Sequence, residues 1–301
     1  MRRKKTKHAS ALLLLVALSL GLVIFYIAGC VVVSDNGLVV SGSKDHEVQR
    51  RAAACGPVSD LGGSDQAMAG IDPEDFSILS WNSHRGSDKA WGRELVSVGG
   101  EADIILLQEA ALESMLDNQL ELFANEWLMA TAFHYDEKEI GIFSAARVPA
   151  QTYCATREQE PLIRIPKIAL AVTYPLAGLQ TRLLVVNIHL VNFTITTDAM
   201  QHQIDAMQDI IRNHQGPVVV AGDFNTWNSD RETLVAQKMA DLGLQAVVFQ
   251  PDNRVEFFNH KVDNVFYRGL LVKKSSSHRV SSSDHNPLEV HFTLAEPPRS
   301  T

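Results

Sequence analysis

Cysteine is scarce in this chain of 301 residues: Cys30, Cys55 and Cys154 are the only three. Their spacing offers no zinc site. Cys30 lies inside an apolar N-terminal run. Cys55 and Cys154 are left either to bridge in an oxidising compartment or to stay as two free thiols. Positive charge is scarce as well. The first thirty residues carry five basic side chains and no acid; beyond them 22 basic side chains face 35 acidic ones, a net −13. That part of the chain has no general electrostatic attraction to nucleic acid or to anionic lipid. A phosphate-bearing ligand has to be gripped locally, by a metal or a few cations. Also absent are internal repeats, low-complexity tracts in the folded part, a run interleaving aromatics with cations of the kind that binds single strands, and a long apolar loop made to enter lipid.

What is present begins at the N-terminus. Arg2, Arg3, Lys4, Lys5 and Lys7 precede an apolar run over residues 9–33 whose only polar side chains are Ser10, Ser19, Tyr26 and Cys30. A helix of that length spans a hydrocarbon core of about 30 Å, and its basic flank stays cytoplasmic. The expectation is a single-pass anchor in the bacterial inner membrane with the remainder in the periplasm. The alternative is a lipoprotein signal, because Ile27-Ala28-Gly29-Cys30 resembles the bacterial lipobox. Residues 34–72, with Pro57 and Gly62-Gly63, have no sustained periodicity and read as a linker with a short ordered piece. The folded domain is expected over 73–294, and 295–301 as a tail.

Within the domain, 76–81 (FSILSW) and 102–107 (ADIILL) are apolar enough for strands, separated by a polar, helix-compatible stretch over 88–97. The pattern predicts an amphipathic helix over 111–124 and strands over 127–135, 140–144, 168–174 and 181–190. Met200, Ile204, Met207 and Ile211 recur at helical spacing in 197–214, as the core face of a helix. Strand 217–221 and helix 231–242 follow, then strands at 246–249, 264–267 and 288–294. Adjacent strands with short links imply antiparallel or mixed sheets.

The stretch 218–227, VVVAGDFNTW, holds the clearest chemistry. A β-branched run stops at Gly222, and strand alternation puts Asp223 and Asn225 on one side of its end. A carboxylate and an amide so placed can hold a water, a metal or a phosphate oxygen; alone, they are equally an Asx turn. Other strands end alike. The first ends in Asn82, the second in Gln108-Glu109, and 183–186 in Asn187-Ile188-His189. Asp263 precedes one late strand and Ser283-Asp284-His285 the last. Singly, each has a structural explanation: a helix-terminal acid, a satisfied core histidine, a turn before Pro287.

In this order, across 76–292, the motifs resemble the endonuclease/exonuclease/phosphatase superfamily with its DNase I-like fold. The segments PLIRIPKIAL, VVNIHLVNF, VFYRGL and SDHNPL resemble YafD-type bacterial proteins most. The resemblance implies an α/β four-layer sandwich, with two mixed β-sheets face to face and helices outside. It implies hydrolysis of a phosphoester, a phosphodiester above all, by metal-assisted attack of water. Mg²⁺, or Mn²⁺, is implied as cofactor, with Asn82, Glu109 and Asp284 as its ligands. Asp223 then orients or deprotonates the water, and Asn225 holds it or a phosphate oxygen. His285 contacts the phosphate or exchanges protons, with Asp263 fixing its tautomer. His189 matches a second histidine near the leaving oxygen, and Arg164 or Lys167 is a cation for the phosphate. One position departs from the pattern: many relatives have an acid two residues after the first Asn, where this chain has His84. Expected partners are a nucleic acid or a phospholipid headgroup and the membrane, with no protein partner. The alternative in another class is a non-catalytic phosphoester-binding module on the same fold.

Overall fold

The protein is described by a computed structural model covering residues 31–34, 37–43, 46–52, 55–58, 70–117 and 126–295. In chain order it places β1 (Val31–Val32), β2 (Leu38–Ser43), β3 (His46–Ala52), β4 (Cys55–Pro57), β5 (Phe76–Asn82), α1 (Trp91–Gly99), β6 (Ile104–Ala111) and α2 (Leu112–Asp117). Then come β7 (Glu126–Tyr135), β8 (Lys138–Ala146), β9 (Thr152–Gln159), β10 (Pro166–Pro175), β11 (Arg182–His189), α3 (Asp198–Asn213), β12 (Val218–Asp223) and α4 (Ser229–Asp241). The chain closes with β13 (Gln245–Ala246), β14 (Glu256–Phe257), β15 (His260–Lys261), β16 (Asp263–Arg268), β17 (Leu270–Ser277) and β18 (Leu288–Leu294).

Two mixed sheets carry the fold. The first runs β17-β18-β5-β6-β8-β7-β2-β3, with β1 against β7; the second runs β13-β16-β12-β11-β10-β9-β4. Each contains one parallel pair, β5 with β6 and β11 with β12. The inward faces meet in one apolar layer, where Ile78, Ile104, Leu106 and Val290 of the first sheet pack with Leu170, Val172, Val185 and Val219 of the second. The outward faces are apolar too. Leu79, Trp81 and Ile105 receive Trp91 and Leu95 of α1. Val218 and Val220 receive Met200, Ile204, Met207 and Ile211 of α3 together with Val235 and Met239 of α4. Burial on both faces explains why these strands read as continuous apolar runs and not as alternating ones. The layers are helix, sheet, sheet, helix.

Several elements depart from the sequence reading. Residues 34–72, expected as a linker, supply β2, β3 and β4, because Leu38, Val39 and Val40 complete the edge beside β7 while most of β3 faces solvent and shows no period. β9 and β17 were not anticipated; their sequences TYCATREQ and LLVKKSSS are half polar, as suits strands near sheet edges. β6 continues past Leu107 to Ala111, so only Leu112–Asp117 of the expected helix 111–124 is helical, and 118–124 lie outside the described residues. The strand expected at 246–249 is the two-residue β13. Cys55 and Cys154 face each other in the β4–β9 pair and are disulfide-bonded. The apolar run 9–33 lies outside the described residues except at Val31–Val33, and among the described residues no helix is long and apolar enough to cross a membrane.

Candidate active site

Strand register assembles the site. At the C-terminal ends of β11 and β12, His189 stands opposite Asp223, and across β12 and β16 Asp223 stands opposite Asp263. One imidazole and two carboxylates therefore form a row across three neighbouring strands of the second sheet. Gly222 makes the row possible: at φ +147 its backbone runs so close to β11 that a Cβ would lie 1.9 Å from the Ile188 carbonyl oxygen. Asn225 follows at φ 50, donating its side-chain N–H to the Leu190 carbonyl (2.8 Å) and its backbone N–H to Asp223 Oδ1 (2.9 Å). The Asx-like turn and the functional placement are thus the same geometry.

The first sheet supplies the facing half. Asn82, at the end of β5, donates Nδ2–H to Asp223 Oδ2 at 3.1 Å. In β6 the register shifts between Leu107 and Ala110, a β-bulge in which Glu109 takes φ 49. Such a bulge re-aims a side chain, and Glu109 faces the cavity. Asp284 and His285 come from the loop between β17 and β18. The His285 carbonyl accepts from the Trp81 indole (2.9 Å), and its imidazole Nδ1 donates to Asp263 Oδ2 (2.7 Å). Asn82, Glu109, His189, Asp223, Asn225, Asp284 and His285 line one cavity of about 470 Å³, and Asp263 lies buried behind His285.

The electrostatics follow from burial and neighbours. Burial pushes the Asp223 carboxyl up to about 6, with Asp263 adding to the rise and His285 opposing it. Burial alone would deprotonate His285, but the Asp263 carboxylate and its hydrogen bond, with Asp223 and Asp284, outweigh it and raise the imidazole to about 10. His189 goes the other way: burial, Lys167 and His285 hold it well below the ordinary histidine value. Neutral His189 accepts from Lys167 Nζ at 2.9 Å, and Lys167 is 3.9 Å from Glu109 and 3.8 Å from Glu160. Of the two cations considered from the sequence, Lys167 reaches the site; Arg164 lines neither of the two cavities there. Three groups whose ligand atoms lie within 4.8 Å of one another are Asp223, Asp263 and His285, a different set from the expected Asn82, Glu109 and Asp284. His84, at the departing position, contacts Asp284 through Nδ1 at 3.1 Å, so an imidazole–carboxylate contact stands there instead of a second acid.

Several supporting residues escaped the sequence reading. Gln108 and Asn187, read from the sequence only as strand-end residues, hold the sheets: Gln108 donates to Asn187 Oδ1 (2.7 Å), and Asn187 donates to the Leu107 and Phe143 carbonyls (3.2 and 2.9 Å), bolting the two sheets together beneath the site. Arg231 is buried under the Trp227 ring and donates to the Val191, Asn192 and Asn225 carbonyls. Glu160, fully buried, accepts from the backbone N–H groups of Asn192 and Phe193. Glu94 on α1 accepts from the backbone N–H and hydroxyl of both Ser281 and Ser282, which fixes the loop ahead of Asp284. A lone Arg or Glu gives no sequence sign of carbonyls or amides far away in the chain. The cavity mouth is apolar: Leu162, Phe193, Trp227, Phe257 and Phe258, from four separate segments, line it.

Comparison with known proteins agrees with this architecture. Residues 79–285 match the sequence profile of the Endonuclease/Exonuclease/phosphatase family. The UPF0294 protein of Vibrio cholerae is 38% identical over 221 residues, 73% of this chain and 78% of that protein. The endonuclease/exonuclease/phosphatase of Bacteroides vulgatus superposes with a TM-score of 0.58 at 16% identity, covering 73% of this chain and 99% of the other. D. rerio TDP2 complexed with a single-strand DNA product superposes with a TM-score of 0.52 at 15% identity, covering 73% and 99%. At such identities the two structures speak to fold alone. With its profile match spanning every motif from β5 to His285, the chain belongs to the Endonuclease/Exonuclease/phosphatase family.

Proposed function

We propose that the protein is a divalent-metal-dependent phosphoesterase that hydrolyses phosphodiesters through attack by an activated water. The observation that carries this reading is the convergence of seven polar residues from both sheets on one cavity, with Asp223 raised to about 6 and His285 held protonated. Asp223, buried and near neutrality, suits the role of base toward the water. Asn225 and Asn82 fix its carboxylate. His285, kept cationic by Asp263, turns an N–H donor toward phosphoryl oxygens. His189 and Lys167 stand together to stabilise the departing oxygen.

The donor set fits a hard cation. Glu109, Asp284 and Asn82 line the same cavity, and two carboxylates with an amide are the ligand chemistry that Mg²⁺ or Mn²⁺ takes; the Asn82 oxygen, which accepts from the His84 backbone N–H, has a second lone pair for it. The Asp223, Asp263 and His285 group fits less well, since an imidazole protonated against Asp263 has no lone pair to give. A bound Mg²⁺ would supply charge neutralisation at the phosphoryl oxygens. The apolar run 9–33 with its basic flank supports attachment to the bacterial inner membrane, and the Cys55–Cys154 bridge suits an oxidising periplasm. Among solved neighbours that share the fold, D. rerio TDP2 is complexed with a single-strand DNA product.

The test is turnover of bis-p-nitrophenyl phosphate by the full chain with Mg²⁺, Mn²⁺ or EDTA, beside plasmid DNA, RNA and a phospholipid. Glu109→Ala and His285→Ala are expected to lose about 10³-fold in metal-dependent turnover while still melting cooperatively. Normal turnover by Glu109→Ala would sink the metal assignment. Saturable binding of phosphoesters without any turnover would instead favour a binding module.

A further inference from the structure

A second cleft, of about 180 Å³, opens off the catalytic cavity and shares Glu109, His189 and Phe193 with it. It lies between the β7–β8 end of the first sheet and the start of β10 in the second, and Phe133, Ile140, Ile142, Ile163, Ile165 and Ile168 give it an apolar wall. The charged or polar groups on its wall are Lys167 and the shared Glu109 and His189, together with Arg85. Water gains little in such a slot, whereas an alkyl chain attached to a phosphate would leave water on entering it. Large apolar side chains of the lining stand exposed: Leu162 at 61% and Phe258 at 81% on the catalytic cavity, Ile163 at 44% on the cleft, and Phe193 at 51% on both. Exposed apolar groups scattered singly need no explanation, but a collar around a substrate site does.

The occupant can be narrowed. Bases of a single strand stack on aromatic faces and need cations along a groove; the mouth of the catalytic cavity is aromatic, but the wall of the adjoining cleft is mainly isoleucine, and the chain beyond residue 30 carries a net −13. The apolar run 9–33 enters the described fold through Val31 and Val32, which pair with Tyr135 and His134 on β7. The next residue along β7, Phe133, is on the cleft wall. The cleft thus opens beside the point where the most apolar segment of the chain arrives.

We propose that the substrate is a membrane phospholipid, its phosphodiester in the catalytic cavity and an alkyl chain in the adjoining cleft, with the collar resting on the bilayer. This rests on the phosphoesterase reading. Its step is plain hydrolysis: the water oxygen bonds to phosphorus as one phosphorus–oxygen ester bond breaks, and the departing oxygen leaves as an alcohol. The net negative chain favours a zwitterionic headgroup over an anionic one.

The experiment uses the full chain, kept in solution by a fluorinated surfactant that does not mix with alkyl chains. Alkyl esters of phosphoethanolamine of increasing chain length are compared with bis-p-nitrophenyl phosphate. In the wild type kcat/KM is expected to rise about two- to fourfold per methylene until the cleft is filled; in Ile163→Asp and Phe133→Ala the rise flattens. A wild-type chain-length profile that is flat while the generic diester is turned over would overturn the lipid proposal and leave the phosphoesterase standing, as would preferred turnover of a DNA oligonucleotide. If no diester is turned over, the phosphoesterase reading fails by itself. Calorimetry then decides the cleft: a monomeric alkylphosphocholine is expected to bind at least tenfold more tightly than phosphocholine, with the difference erased in Ile163→Asp. Equal affinities in the wild type would refute the cleft assignment.

Discussion

At the scale of residues, the site works by setting neighbouring titrations apart. Asp223 is raised to about 6 by burial, so it is neutral below that pH and unable to accept a proton from water. Turnover is therefore expected to fall as pH drops through about 6, a limb that a pH profile of kcat/KM reads directly and that Asp223→Asn removes together with most of the activity. The linked stability has a definite sign. Because the folded value lies above the unfolded one of 3.8, the stabilising contribution of protonated Asp223 is fully present only below 3.8 and is lost as pH rises from there through about 6. His285, raised to about 10, contributes stability at neutral pH that is lost as pH climbs through 10. Thermal melts of wild type and His285→Gln between pH 7 and 10 are expected to converge. Asp223 was legible in the sequence because it interrupts an apolar run at a strand end, and His285 because Ser283-Asp284-His285 directly precedes the last strand. Lys167 was harder to read, since its partner His189 is 22 residues away and only the β10–β11 pairing joins them.

At the scale of elements, loops are held in place by side chains that never reach the cavity. Glu94 gathers Ser281 and Ser282 onto α1, and Ser283 donates to the Asn82 carbonyl at 2.7 Å. Glu94→Ala releases the first of these anchors at the surface. It is expected to lower kcat by 10- to 100-fold, since misplacing a catalytic group by about 1 Å costs on that order, while the melting temperature moves by a few degrees at most; steady-state kinetics beside a thermal melt test both. Strands buried on both faces were evident as apolar runs, and α3 as a 3.6-residue period. The edges were not. β3 exposes most of its side chains, and β9 and β17 are half polar, so the hydrogen bonds of a neighbouring strand hold them there and no pattern in their own side chains declares it. The bulge at Glu109 was equally invisible, because a register shift is a property of two strands together.

At the scale of the molecule, the Cys55–Cys154 bridge joins residues 99 apart and ties β4 to the edge of the second sheet. Opening it is expected to cost about 2–4 kcal/mol through the freed unfolded chain, seen as a lower denaturant midpoint in the presence of reductant and in Cys55→Ser. The sequence left this pairing open because cysteine number alone does not decide between a bridge and two thiols. The division of the site between the sheets has a different consequence. Asn82, Glu109, Asp284 and His285 ride on one sheet and His189, Asp223 and Asp263 on the other, joined by the Asn82–Asp223, Gln108–Asn187 and His285–Asp263 hydrogen bonds. Apolar faces tolerate a small slide past one another; directional hydrogen bonds between the sheets do not. Warming or mild denaturant is thus expected to silence the enzyme by slippage between two intact sheets, so that turnover fails before the far-ultraviolet circular dichroism changes.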